Sequence, residues 1–161
     1  MRGIKMICTI VFSMFLTATA WAQTGSAQQQ QIQNTIQSQI DAFAADDVGT
    51  AFGFAAPSIQ SLFGGPQRFG AMVQNGYPMV WRNRSVEFGG LQDIAGRLWQ
   101  RVYLTDLSGV EHALDYVMVQ IDGEWRITSA QYAGDETMPV ARAIALYAFS
   151  DAVELKPEGD G

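Results

Sequence analysis

Cysteine and histidine are nearly missing from this sequence. Each occurs once in 161 residues, as Cys8 and His112. Cys8 falls in the apolar N-terminal stretch, so the remainder of the chain has no disulfide and no thiol chemistry. A zinc site lacks its ligands, because one histidine without clustered His, Asp or Glu partners does not make a coordination set. No metal and no cofactor is therefore expected. A phosphate-cradling glycine loop, a calcium loop and a Ser-His-Asp spacing are missing as well. Gly64-Gly65-Pro66 has no lysine beside it and reads as a helix stop followed by a helix start. Basic residues are in the minority, 10 against 16 acidic. That balance argues against nucleic acid or anionic lipid as a partner. Long apolar runs are missing too: Met6 to Ala20 is too short for a comfortable membrane span.

What that run does resemble is an export signal. Arg2 and Lys5 precede it, and Ala20-Trp21-Ala22 is a small-x-small cleavage site before Gln23. Residues 1–22 are expected to be removed, which takes the net charge from −6 to −8. The destination is the periplasm if the source is a Gram-negative bacterium, and otherwise the exterior. About one ordinary domain remains, large enough to bury a core without staples.

Residues 23–31 are polar and low in complexity and are expected to form a flexible lead. Ile32, Ile36, Ile40 and Phe43 then recur at spacings of four, four and three, the stripe of an amphipathic helix. Asp46-Asp47 ends it, and Asp47 is placed to cap a second short helix through Phe52 and Phe54. Pro57 opens a third helical piece that Gly64-Gly65 stops, and Pro66 opens a fourth with Phe69, Met72 and Val73 inward. After Pro78 the period changes to two. Val80 to Phe88 and Gly96 to Thr105 are expected strands, with Gly89-Gly90 as a break between them.

The centre of the chain is a hairpin. His112 to Ile121 and Glu124 to Gln131 flank Asp122-Gly123, whose residue types suit the positive φ values of a two-residue type I′ turn. Such a turn sets Trp125 opposite Gln120, Ile127 opposite Met118 and Ser129 opposite Tyr116. A four-residue turn over 106–109 sets Trp99 opposite Tyr116, Arg101 opposite Leu114 and Tyr103 opposite His112. Helices first and an antiparallel meander afterwards predict an α+β fold, with N-terminal helices packed on a curved antiparallel sheet. A C-terminal extension, residues 135–161, adds a short helix around Val140, Ile144, Tyr147 and Ala148 and a polar tail. No internal repeat is visible.

Three stretches carry a family likeness: IQSQIDAFAADDVGTAFGFAAPSIQSLFG, FGAMVQNGYPMVWR and DGEWRI. In this order they resemble an uncharacterised bacterial domain-of-unknown-function family within the nuclear transport factor 2-like superfamily. The resemblance covers about Ile32 to Gln131 and implies a cone-shaped α+β domain over residues 32–134. It implies no activity, since relatives of that fold include isomerases, dehydratases, hydrolases and plain binding or dimerisation domains.

With this register the inner face carries Trp99, Arg101, Tyr103, His112, Tyr116 and Trp125, an aromatic surface with a few polar groups. These are the candidate ligand-binding residues of a pocket for a small apolar or amphipathic molecule at the mouth of the cone. The outer face carries Leu98, Val102, Val117, Val119 and Ile121. They are the candidate interface of a homodimer, because a contiguous apolar patch is rarely left in water. The expected function is that of an exported, non-catalytic binding or interaction domain, and no catalytic residue is assigned. The alternative is a small cone-pocket enzyme of isomerase, dehydratase or hydrolase type using His112, Tyr103 or Asp115 as acid or base. Asp115 sits mid-strand, where a carboxylate calls for a basic neighbour.

Overall fold

The computed structural model describes residues 19–133. The expected signal region and the expected C-terminal helix therefore lie largely or wholly outside the described residues. The order is α1 (Thr19–Ala44), α2 (Val48–Gly53), α3 (Pro57–Phe63), α4 (Pro66–Gly76) and α5 (Pro78–Trp81), then β1 (Asn83–Ile94), β2 (Arg97–Asp106), β3 (Glu111–Ile121) and β4 (Glu124–Tyr132). The strands form one antiparallel sheet in sequence order, curved and unclosed, with the helices packed against one face. This is the expected α+β arrangement.

Each helix begins and ends for a local reason. In α1 the stripe Ile32, Ile36, Ile40 and Phe43 is fully buried against the sheet. The helix includes residues 23–31, which were expected as a flexible lead. Glutamine and alanine are good helix formers, and Gln31 Oε1 accepts a hydrogen bond from Trp125 Nε1 at 3.3 Å. Asp47 caps α2 by accepting from the Thr50 N–H. Pro57 and Pro66 occupy first-turn positions of α3 and α4, and Gly64 closes α3 in the left-handed region at φ 66.

Residues 80–82 depart from the expected strand. Pro78 nucleates one helical turn instead, and Met79, Val80 and Trp81 are all buried in it, so the strand starts at Asn83. This turn is tied to the end of α1. Asp46, itself at φ 59, accepts from Trp81 Nε1 at 3.0 Å and Arg82 Nη2 at 2.7 Å. Arg82 Nη1 also donates to the Phe43 carbonyl at 2.9 Å, which accepts from the Asp46 N–H as well at the end of the helix.

The sheet register is partly as expected and partly shifted. Asp122 and Gly123 have φ 52 and 84, as a type I′ turn requires, and Gln120 faces Trp125 while Met118 faces Ile127. Beyond Ile127 an extra residue, Thr128, bulges out, so Tyr116 faces Ala130 and not Ser129. Thr105 pairs with Glu111, so five residues and not four separate the last pair across the β2–β3 turn. The Asp106 N–H donates to the Val110 carbonyl at 2.9 Å, and its carboxylate accepts from the Ser108 and Val110 amides at 2.8 and 3.0 Å. These bonds draw Val110 into the loop. Trp99 therefore faces Val117, Arg101 faces Asp115, Tyr103 faces Ala113 and Leu104 faces His112.

Because strand side chains alternate, that one-residue difference exchanges the two faces of β2. Leu98, Gln100, Val102 and Leu104 join Leu114, Tyr116 and Met118 on the helix-covered side. Val102 and Leu104 are 0% exposed core residues. Trp99, Arg101 and Tyr103 lie on the other side. The Gly89-Gly90 pair is a bulge within β1 and not its end. A Cβ on Gly89 would come within 2.9 Å of the Arg101 side chain, so glycine is needed there for close approach. Gln100, fully buried, donates to the Gly89 carbonyl at 2.9 Å and holds the bulge from the inner side. Bulges in β1 and β4 bend the sheet around the helices.

Candidate functional site

Between the helices and the sheet lies a half-open cavity of about 80 Å³. Its walls are Phe43 of α1, Ile59 and Phe63 of α3, and Phe69, Met72 and Val73 of α4, with Tyr77 and Val80 following. Its floor is Tyr116, Ile127 and the bulged stretch Thr128–Ala130. The site thus exists because β4 gains a residue at Thr128, whose Oγ1 donates to the Val117 carbonyl at 3.0 Å. The aromatic walls pack on one another: Phe69 lies 5.9 Å from Phe43 and 5.6 Å from Phe63, ring centre to ring centre.

Few polar groups reach this space. Tyr77 Oη donates to the Ala130 carbonyl at 3.0 Å, and its ring stacks on Tyr132 at 5.5 Å. Gln39 Nε2 donates to the Ala51 carbonyl at 3.0 Å, which leaves its Oε1 as an acceptor. Tyr116 is 1% exposed and lines the cavity. Its hydroxyl has no hydrogen-bond partner among the described residues. Burial raises its pKa, with Tyr77 adding to the effect, so the phenol keeps its proton. The sealed, unpaired side-chain atoms among the described residues are Trp99 Nε1 and Gln100 Oε1. Tyr116, a lining residue of the cavity, is not among them.

The structure disperses the six residues expected to line a pocket. Tyr116 lines the cavity. Trp125 is on the inner face and buried, but lies outside the lining and bonds to Gln31. Trp99, Arg101 and Tyr103 are on the opposite face of the sheet, as the β2–β3 register dictates. Arg101 is engaged there with Asp115 through paired hydrogen bonds of 2.5 and 2.9 Å. Asp115 lies on the outer face, opposite Arg101.

His112 sits at the end of the sheet on the inner side, in a separate open cleft with Asp106, Ser108, Trp81 and Arg82. Its Nε2 lies 2.9 Å from Asp106 Oδ2. The Asp106 carboxyl is held well below the usual carboxylate range, first by His112 and then by Ser108 and the Val110 amide. Asp106 thereby ties the loop to the strand. Among the described residues no group of three His, Cys, Asp or Glu side chains is placed to hold a metal ion, and no helix is long and apolar enough to cross a membrane.

The expected interface residues also separate. Val117, Val119 and Ile121 are on the outer face, whereas Leu98 and Val102 are on the inner one. Of the cavity lining only Tyr116 was among the expected ligand-binding residues, and its polar companions Gln39 and Tyr77 were not foreseen. Gln39 falls seven residues after Ile32 and four before Phe43, on the apolar stripe itself, and that position was its signal. Tyr77, between Asn75-Gly76 and Pro78, carried none.

These features define an α+β domain with one helix-covered sheet face and a cavity between the layers. The chain belongs to the family described as a domain of unknown function, DUF4864, whose model matches residues 25–139. Comparison with curated proteins and with solved structures returns no match.

Proposed function

We propose that this protein is an exported, non-catalytic binding domain of the nuclear transport factor 2-like type, holding the apolar part of a small ligand between its helices and sheet. The observation that carries the reading is the half-open cavity, walled by aromatic and aliphatic side chains and floored by the unpaired Tyr116 hydroxyl. Apolar concavities with a few oriented polar groups are the usual form of small-molecule sites. At about 80 Å³ the space is roughly half of the ~150 Å³ that accommodates benzene in an engineered core. A ligand of a few carbon atoms fits inside, and a longer one extends through the mouth. Export rests on the basic start, the apolar run and the cleavage site of residues 1–22.

The enzyme reading needs His112, Tyr103 or Asp115 to converge on this space. Tyr103 and Asp115 are on the far side of the sheet, and His112 opens into the other cleft. The binding reading is favoured for that reason.

A homodimer through the outer sheet face is part of the proposal in revised form. Val117, Val119 and Ile121 remain there, and Trp99 and Tyr103 replace Leu98 and Val102. The patch is interrupted by the Arg101–Asp115 pair, so it fits a second copy that meets both apolar and polar groups.

The binding test is an NMR titration with pentane, read at the methyl groups of Ile59, Val73, Val80 and Ile127. Saturable shifts at these methyls are expected in the wild type and are lost in Ala130→Leu, which fills the floor. Shifts that are absent, or that survive the filled variant, overturn the reading.

A further inference from the structure

We infer that the cavity selects a neutral aliphatic alcohol, with Tyr116 and Gln39 as its polar anchors. This rests on the binding reading above and adds the chemical class of the ligand. Tyr116 is buried on the central strand β3, yet its hydroxyl makes no hydrogen bond among the described residues. Buried polar groups are overwhelmingly paired, so one left open to a cavity points to a partner from outside the chain. Its neighbour Tyr77 does not serve, since that hydroxyl donates to the Ala130 carbonyl.

Gln39 supplies the complementary half. A carbonyl needs a donor, so the Ala51 contact assigns Nε2 to that bond and leaves Oε1 as an acceptor. Tyr116 thus supplies an O–H donor and Gln39 a C=O acceptor to the lining, where Thr128 Oγ1 already donates to the Val117 carbonyl and Ser129 shares the outer side with Val117. A hydroxyl group accepts from Tyr116 and donates to Gln39. A ketone satisfies only Tyr116, and an alkane satisfies neither.

Charge is excluded by the rest of the lining. No Lys, Arg or His lines the cavity, and no Asp or Glu does. A carboxylate would be buried without a counter-ion and beside the Gln39 oxygen, and an ammonium would have no anion. Phe43, Phe63, Phe69, Ile59, Val73 and Ile127 ask for a hydrocarbon body. The high pKa that burial gives Tyr116 keeps it a donor throughout the physiological range.

The test compares pentane, 1-butanol and butanoate, which differ little in shape, by NMR titration of wild type and Tyr116→Phe. The phenylalanine variant keeps the ring and removes only the hydroxyl. Because that hydroxyl is unpaired in the protein alone, the thermal midpoint without ligand is expected to stay level or rise. With the variant, 1-butanol binding is expected to weaken about tenfold, the equivalent of one net hydrogen bond, while pentane binding is unchanged. Butanoate is expected to bind at least tenfold more weakly than 1-butanol. Equal weakening of pentane and 1-butanol, or of neither, overturns the alcohol assignment and leaves the cavity as a plain apolar site. If neither ligand binds the wild type, the binding reading falls with it. Should Tyr116→Phe not fold, the Tyr116 hydroxyl proton of the wild type decides. A downfield shift with 1-butanol but not with pentane supports the assignment, and identical behaviour with both overturns it.

Discussion

Arg101 faces Asp115 directly across β2 and β3, with Nε to Oδ1 at 2.5 Å and Nη2 to Oδ2 at 2.9 Å. The pair lies on the sheet face away from the helices and answers the question raised by a carboxylate in mid-strand. Its two ends are unequally wet: the Arg101 side chain is 36% exposed and that of Asp115 16%. Removing the cation leaves a half-buried carboxylate without its donors. Arg101→Met should lower stability by about 1–2 kcal/mol, the lower part of the range for charged hydrogen bonds. Asp115→Asn should do the same, and the double variant should lose less than the two together. Urea denaturation of all four proteins gives the coupling, and strict additivity would show that the pair does not act as one unit.

Trp125 packs on the inner face opposite Gln120 and reaches α1 through Gln31. Trp125→Ala should cost about 3–5 kcal/mol, as large aromatic truncations in cores do. A denaturation midpoint equal to that of wild type would contradict the burial.

The Asp106 carboxyl titrates below its ordinary range because His112, Ser108 and Val110 all donate to it. A depressed folded value stabilises the protein fully above the unfolded value of about 4, and the effect fades as pH falls toward the folded value. Asp106→Asn should therefore lower the thermal midpoint at pH 7, and the gap from wild type should narrow steadily as pH falls below about 4 toward the folded value. A gap that stays constant over this range would place the effect in packing and not in ionisation.

For the outer face, sedimentation of the wild type, Val119→Lys and a truncation after Gly134 gives the decision. A dimeric wild type, a monomeric Val119→Lys protein and a dimeric truncation are expected. Wild type and Val119→Lys both monomeric, with an aggregating truncation, would show the C-terminal segment to be the cover.

Export predicts that the mature chain starts at Gln23, because Ala20 and Ala22 fill the small positions before it. Intact mass of the exported protein checks this. A soluble form that retains residues 1–22 would remove the export proposal.

Much of this protein was legible one segment at a time. The 3.6-residue stripe Ile32, Ile36, Ile40 and Phe43, the Asp47 cap, the two helix-opening prolines and the Asp-Gly turn are local signals. Each depends on backbone geometry or side-chain reach within a few residues, and together they suffice for an α+β fold and for the pairing next to the central turn. The faces of β2 were decided elsewhere. Asp106 draws Val110 into the loop through bonds that composition does not announce, and one added residue moves Trp99, Arg101 and Tyr103 across the sheet. The cavity likewise required tertiary structure. It needs a bulge at Thr128, a helical turn at Pro78 and a glutamine on an apolar stripe to meet from segments far apart in the chain. Periodicity reports which side of one element is apolar, whereas a cavity is a property of the space that several elements leave unfilled.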